Sequence, residues 1–142
     1  LSFSQEDVTL TGHAIECRIS AESPGKNFQP CPGRIVRWEP PEKENVRIDT
    51  HCYPGYFVPP FYDSLLAKII TRGEHRAGAI DLMQRALSDL IVTGVDTTIP
   101  FHRFMAQHKD FQDGRINTRW IEKILAEEFE EIWKKSLSLT RR

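Results

Sequence analysis

Arg47 is the residue of this sequence whose type and spacing most clearly suggest chemistry. In "NVRIDT", strict alternation puts Val46 and Ile48 on one side of a strand and Arg47 and Asp49 on the other. An acid two residues away on the same face can hold a guanidinium still. A held guanidinium presents a planar fork of donors to bicarbonate, to a carboxylate or to a developing enolate. The same spacing also describes a solvated strand arginine, and pattern alone favours that plainer case. Lys68 interrupts the apolar run "SLLAKIIT", where an ammonium needs a carboxylate or a route to water; Asp49 and Asp63 are its candidate partners. Asp63 and Ser64 open that run and either bond their own backbone in a turn or orient a neighbour. Glu16 and Arg18 share a strand face and read as a scaffold ion pair. Arg72, Glu74, His75 and Arg76 crowd a strand-to-helix turn, where they are solvated or form a polar subunit contact.

No self-sufficient catalytic motif accompanies these residues. The sequence holds no Gly-rich phosphate loop, no His-Glu-x-x-His and no nucleophile elbow, and its five histidines are scattered without metal-ligand spacing. No metal site is expected. Three cysteines, Cys17, Cys31 and Cys52, are odd in number and lack Cys-x-x-Cys spacing, which argues against a disulfide framework and for a reducing, cytosolic setting. A formal net charge of -1 lacks the footprint of a general nucleic-acid binder. The apolar runs are too short to cross a bilayer. With 142 residues, 39% of them hydrophobic and 27% charged, the chain has the composition of one globular domain with a real core. It starts at Leu1 with neither Met nor a signal-peptide pattern and reads as a piece of a longer protein.

The elements that must position these residues fall into two halves. "GHAIECRIS", with Ile15, Cys17 and Ile19 alternating against polar neighbours, reads as a half-buried strand; "GRIVRWEP" and "NVRIDT" read as two more. "SLLAKIIT" is more uniformly apolar than the other runs, as in a strand covered on both faces. Loops rich in Pro and Gly, "SPGKNFQPCPG" and "CYPGYFVPPF", separate them. From "HRAGAIDLMQRALSDLIV" onward the period becomes helical, with Ile80, Met83, Leu87, Leu90 and Ile91 on one stripe and Gly94 as a left-handed stop. Thr97 or Thr98 should cap a helix with Pro100 in its first turn and Phe101, Phe104 and Met105 facing inward. Asn117 or Thr118 should start a longer helix through Ile121, Leu125, Phe129, Ile132 and Trp133. The expected fold is α+β, a small antiparallel sheet from the N-terminal half packed with helices from the C-terminal half.

Five segments, "GHAIECRISAE", "PGRIVRW", "VRIDT", "YPGYFVPPFYDSLLAKIITRG" and "INTRWIEKIL", resemble in order and spacing the C-terminal domain of biotin carboxylase, the ATP-dependent ligase component of acetyl-CoA, propionyl-CoA and pyruvate carboxylases. The likeness runs from about Gly12 to Leu125, so residues 1–126 are expected to form that domain and 127–142 a helical extension or linker. The resemblance implies a share in ATP- and bicarbonate-dependent carboxylation of biotin, through carboxyphosphate. Arg47 matches the arginine that lies over the ureido ring of biotin and stabilises its enolate. Thr118 and Arg119 match a segment lining the adenine pocket. The turn holding Arg72, Glu74 and Arg76 matches a region near a homodimer contact. ATP and Mg would be bound by an ATP-grasp region that these residues do not include. Implied partners are the N-terminal and ATP-grasp regions of the same enzyme, a biotin carboxyl carrier protein or domain, and a carboxyltransferase. Fatty acid biosynthesis is implied where acetyl-CoA is the acceptor, in the cytoplasm or, in a eukaryote, the mitochondrion. The alternative is a non-catalytic dimerisation or scaffold module of the same complex.

Overall fold

A computed structural model describes residues 2–127. Nine strands and three helices follow in chain order: β1 (His13–Ser20), β2 (Glu22–Ser23), β3 (Gln29–Pro30), β4 (Gly33–Arg34), β5 (Arg37–Glu39), β6 (Val46–Thr50), β7 (Phe57–Val58), β8 (Leu65–Gly73), α1 (Arg76–Asp89), β9 (Ile91–Thr93), α2 (Ile99–Gln107) and α3 (Lys109–Gln112). Residues 120–127 form a further helical segment. The expected α+β fold is what is found. Its frame is a three-stranded antiparallel sheet, β1-β8-β6, with β8 in the centre. Three two-stranded ribbons, β2-β3, β4-β7 and β5-β9, surround it.

Alternation decides which face of the sheet is covered. Ile15, Cys17 and Ile19 of β1 and Ala67, Ile69 and Thr71 of β8 point to one side and are buried. They meet Ala79, Ile80, Met83, Ala86 and Leu87 of α1 in one continuous core, with Val46 and Ile48 of β6 packed against it. Thr71 is fully buried and donates its hydroxyl to the Ala79 carbonyl at 2.9 Å, so the only polar side chain of that strand face is satisfied by the helix. Gly73 lets the chain turn tightly into α1, since a Cβ there would lie 2.5 Å from the Ala79 nitrogen. His75 caps the helix, its Nδ1 accepting from the Gly78 N–H at 3.1 Å.

Several expectations change in detail. "GRIVRWEP" does not form one strand. Ile35 and Val36 bond in opposite directions, to Tyr56 and to Thr93, so the run divides into β4 and β5 with different partners. The second face of β8 carries no helix, and Lys68 and Ile70 lie there half-buried; the pattern of an apolar central strand does not require two covers. Register slips between Ile19 and Ser20, which skips Leu66 and turns it into the core at 1% exposure. α1 ends at Asp89, so Ile91 leaves the stripe and starts β9, while Leu90 stays buried. Gly94 has the left-handed φ of +101°, but it serves a close strand contact rather than a helix stop. An added Cβ would meet the Arg34 carbonyl oxygen. Thr98 stands at the head of α2 without capping it. Its hydroxyl instead accepts from Ser20 N–H of β1 at 3.0 Å. In the segment 120–127 Trp120 and Ile124 are buried and Leu125 packs half-buried against them as expected, whereas Ile121 is exposed. Phe129, Ile132, Trp133 and the extension beyond residue 127 lie outside the described residues. No described helix is long and apolar enough to cross a membrane.

Leu87 is fully buried between α1 and the sheet, so Leu87→Ala should lower the unfolding free energy by about 2–5 kcal/mol in denaturant titration. The thiols provide a second check. Burial pushes the Cys17 thiol up to about 12 and raises Cys52 as well, whereas Cys31 is half-exposed. Of the three cysteines, only Cys31 should react rapidly with a thiol reagent near pH 8, and all should react after denaturation.

Candidate functional site

The face of the β1-β8-β6 sheet turned away from α1 is open, and the register arranges its side chains in two rows. Glu16, Ile70 and Arg47 stand side by side across the strands, and beside them stand Arg18, Lys68 and Asp49. Arg72 follows on the same face of β8, opposite Ala14. Cations outnumber acids here, with Arg18, Arg47, Lys68 and Arg72 against Glu16 and Asp49. Neighbouring strands lie about 4.8 Å apart, so these charges share one small surface. It is suited to an anionic or electron-rich ligand.

Arg47 and Asp49 form the pair expected from their spacing. Arg47 Nε donates to Asp49 Oδ1 at 2.8 Å and Nη2 to Oδ2 at 3.0 Å, a two-point bridge between side chains that are 73% and 42% exposed. The hydrogen bonds from Arg47 hold the Asp49 carboxyl below its usual range, helped by the charges of Arg47 and Lys68, and Asp49 raises Arg47 in turn. This pins two of the three guanidinium nitrogens. Nη1 has no partner among the described residues. It is a fixed cation with donors left over, the arrangement that stabilises an oxygen acquiring negative charge.

Lys68 lies directly across from Asp49 and acts on it through its charge, though the two do not close to a bridge. Asp63 is not its partner: the Asp63 carboxylate accepts from Leu65 N–H at 2.9 Å and closes the turn into β8. The adjacent Ser64 does orient a neighbour, donating its hydroxyl to Glu22 at 2.5 Å. Glu16 and Arg18, expected as an ion pair, are both exposed and form no bridge with each other. Same-face strand neighbours project in parallel, and solvation competes well for such charges.

Thr118 and Arg119 are exposed on a turn outside the sheet. There Asn117 does the capping, accepting from Arg119 N–H at 2.9 Å. The helical segment after this turn reaches the β1 edge, where Glu16, Trp120 and Ile121 line part of one largely apolar cavity of about 180 Å³. Of the turn after β8, Arg72 and Glu74 face outward around an open hollow of about 430 Å³, with Arg72 donating to the Thr11 hydroxyl at 3.1 Å. Arg76 does not join them. Its guanidinium bonds the Phe111 and Gln112 carbonyls, meets His13 Nε2 at 3.1 Å and lies over the Phe111 ring, so it ties α1 to α3 and β1.

Sequence reasoning missed three residues that shape or brace the open face. Ile70 separates Glu16 from Arg47 and supplies the apolar floor between them; its place in the β8 alternation was the available signal. Thr98, just ahead of α2, and His102 within it both reach the Arg18 carbonyl, at 3.4 Å and 2.8 Å, and hold β1 from behind. No local pattern announces a bond across so many residues.

Because the Asp49 pKa is depressed in the fold, the pair is complete above the unfolded-chain value of about 3.9 and is lost as pH falls through the lower folded value. The Arg47 Nε–H resonance should therefore be slowed in exchange at pH 6. It should become indistinguishable from free surface arginines both in Asp49→Asn and at low pH in the parent chain. Detection is by nitrogen-15 NMR of the side chain.

Comparison with known proteins adds the family. Residues 16–123 match the family model described as the biotin carboxylase C-terminal domain. Biotin carboxylase 1 of Bacillus subtilis is 52% identical over 122 residues, which cover 86% of this chain and 27% of that protein. The chloroplastic biotin carboxylase of Arabidopsis thaliana is 48% identical over 141 residues, covering 97% of this chain and 26% of that protein. Among solved structures, the biotin carboxylase domain dimer of Hydrogenobacter thermophilus 2-oxoglutarate carboxylase, in complex with MgADP, ADP and bicarbonate, superposes with a TM-score of 0.85. It has 41% identity, covering 87% of this chain and 27% of that one. The chain thus spans about a quarter of the length of these relatives. With the matched segment taking in the whole β1-β8-β6 sheet from Glu16 on, and α1 and α2 besides, this chain belongs to the biotin carboxylase C-terminal domain family.

Proposed function

We infer that this chain is the part of a biotin-dependent carboxylase that closes the cleft in which biotin is carboxylated from bicarbonate at the expense of ATP. Arg47 carries this reading: it is held by two hydrogen bonds to Asp49, with Nη1 left open on an uncovered sheet face. Biotin, presented on a carrier protein or domain, supplies the ureido nitrogen that accepts the carboxyl group. Arg47 would meet the ureido oxygen with a fixed positive charge as negative charge builds there. Asp49 keeps the guanidinium from following the solvent, so no reorganisation is needed when the charge appears. Lys68 and Arg18 add positive potential to the same wall and favour bicarbonate and other anions near it.

No described group of three or more His, Cys, Asp or Glu side chains is placed to hold a metal ion. In this reading ATP and Mg are bound by the ATP-grasp region of the longer enzyme, with the Thr118–Arg119 turn touching the nucleotide pocket. The isolated domain is then inactive, and a separate carboxyltransferase chooses the final acceptor. A scaffold or dimerisation role for the turn after β8 draws on the outward Arg72 and Glu74 and on the hollow they line. Arg76, spent on α3 and His13, does not contribute to it.

The test is Arg47→Gln in the full-length parent enzyme. Loss of a preorganised donor at a developing oxyanion lowers turnover by about 10²–10³. Carboxybiotin formation should fall by that order, with ATP binding and the melting temperature unchanged because the side chain is solvent-exposed. Near-normal carboxybiotin formation would assign Arg47 to the scaffold and favour the non-catalytic reading.

A further inference from the structure

β1 pairs along one edge only, and its other edge opens into the molecule. Arg72 N–H bonds the Asn45 carbonyl on the β6 side of β8. The alternate residues Thr71, Ile69 and Ala67 therefore turn their main-chain groups to β1, where they meet Ile15, Cys17 and Ile19. The main-chain groups of Ala14, Glu16 and Arg18 point the other way, out of the sheet. Thr98 and His102 reach the Arg18 carbonyl from that side. Glu16 is different: neither its N–H nor its carbonyl has a hydrogen-bond partner among the described residues.

Beside that edge lies the cavity of about 180 Å³ that Glu16, Trp120 and Ile121 help to enclose. Ile15 and Cys17 enter it from the covered face of β1, whereas the Glu16 side chain belongs to the opposite, open face. What Glu16 brings to the wall is its unpaired main chain. Phe101, Phe111 and Trp120 add three aromatic rings, and Met83 and Met105 two thioethers. The wall carries no charge near neutral pH. Burial pushes the Cys17 thiol up to about 12. Desolvation lowers His102, which keeps its proton on Nε2 and donates it to the Arg18 carbonyl. Trp120 has a spare donor as well. Its Nε1 is buried without a hydrogen bond, and the Asp110 carboxylate that feels this N–H closes its own bonds to Arg115.

An apolar cavity of about 150 Å³ stays dry and takes up benzene. This one is of that size, but it also borders an unpaired strand edge, and such an edge binds by exchanging N–H and C=O with whatever lies beside it. A carboxamide carries the same donor and acceptor side by side. We propose that the cavity is a binding site for a small neutral molecule whose flat apolar body lies among the aromatic rings and whose amide-like group pairs with the Glu16 main chain. Ions are excluded, because nothing in the wall offsets the loss of their hydration. The site does not share the open face with Arg47, and the proposal does not depend on the role given to that residue.

Met83 and Met105 are the two methionines of this chain, and both line the cavity, so carbon-13 labels on their methyl groups report its occupancy. The full-length parent enzyme is labelled in this way, the two resonances are assigned with Met83→Leu and Met105→Leu, and the protein is titrated with benzamide, toluene and benzoate. Both resonances should shift saturably with benzamide, at a dissociation constant at least tenfold below that for toluene, and should not move with benzoate. Saturating MgADP should leave the benzamide titration unchanged, which separates the cavity from the nucleotide pocket. Ala106 is buried in the wall and Ile121 is exposed at its rim. Ala106→Leu, which fills the cavity, and Ile121→Trp, which narrows its mouth, should each weaken benzamide binding at least tenfold; if Ala106→Leu does not fold, Ile121→Trp decides. The proposal is overturned by the absence of a saturable shift, by toluene binding within tenfold of benzamide, by a shift with benzoate, by displacement with MgADP, or by an unchanged titration in Ile121→Trp.

Discussion

A three-stranded sheet covered by a single helix must divide its residues between two environments, and everything else in this domain follows from that division. β8 is the strand on which it turns, because it alone has hydrogen-bonded neighbours on both sides, β1 and β6. Its residues Ala67, Ile69 and Thr71 face α1 and carry the core, while Lys68 and Arg72 face away. Because side chains in a strand alternate strictly, the register of β8 simultaneously sets which residues of β1 and β6 are buried and which charges stand beside one another. A slip by one residue would bury Arg47, Asp49 and Lys68 and expose Ile48 and Ile69. The hydrophobic face thus guarantees the arrangement of the charged one.

The polar contacts behind the sheet are concentrated where strands meet helices. Thr71 bonds the first turn of α1, Thr98 bonds the last residue of β1, and His102 reaches the Arg18 carbonyl. Each joins a strand of the open face to a helix of the covered side, so the backbone beneath the charges is braced in three places. Arg76 works in the same way at the other end, gathering the last two carbonyls of α3 under its guanidinium. These bonds satisfy buried or half-buried groups that would otherwise be costly. They also explain why a domain with such short ribbons can present a guanidinium in a defined orientation.

Much of this was legible in the sequence, and the legible parts share a cause. Strand alternation in "AIECRIS" and "VRIDT", the helical stripe of Ile80, Met83 and Leu87, and the two-residue spacing of Arg47 and Asp49 are local patterns. A local pattern survives folding when the element is long enough to dictate its own faces, as β1, β6 and α1 are. The ordered likeness of five segments to one family was legible for the same reason, since it needs only residues and their sequence.

What only the tertiary structure decided is which pieces meet. That "GRIVRWEP" splits between two partners, that Gly94 serves a close strand contact, that Thr98 forgoes its cap for β1, and that Arg76 turns inward all depend on residues far away in the chain. Short strands such as β4 and β5 have too few residues to fix their own partners, and a hydroxyl or guanidinium goes to whichever unsatisfied backbone group the packing brings within reach. The sequence by itself determined the faces of the long elements and the charge pair that one of them bears. Distant contacts, formed only on folding, decided that this pair stands on an open face whose far edge, β1, is braced from behind by α2.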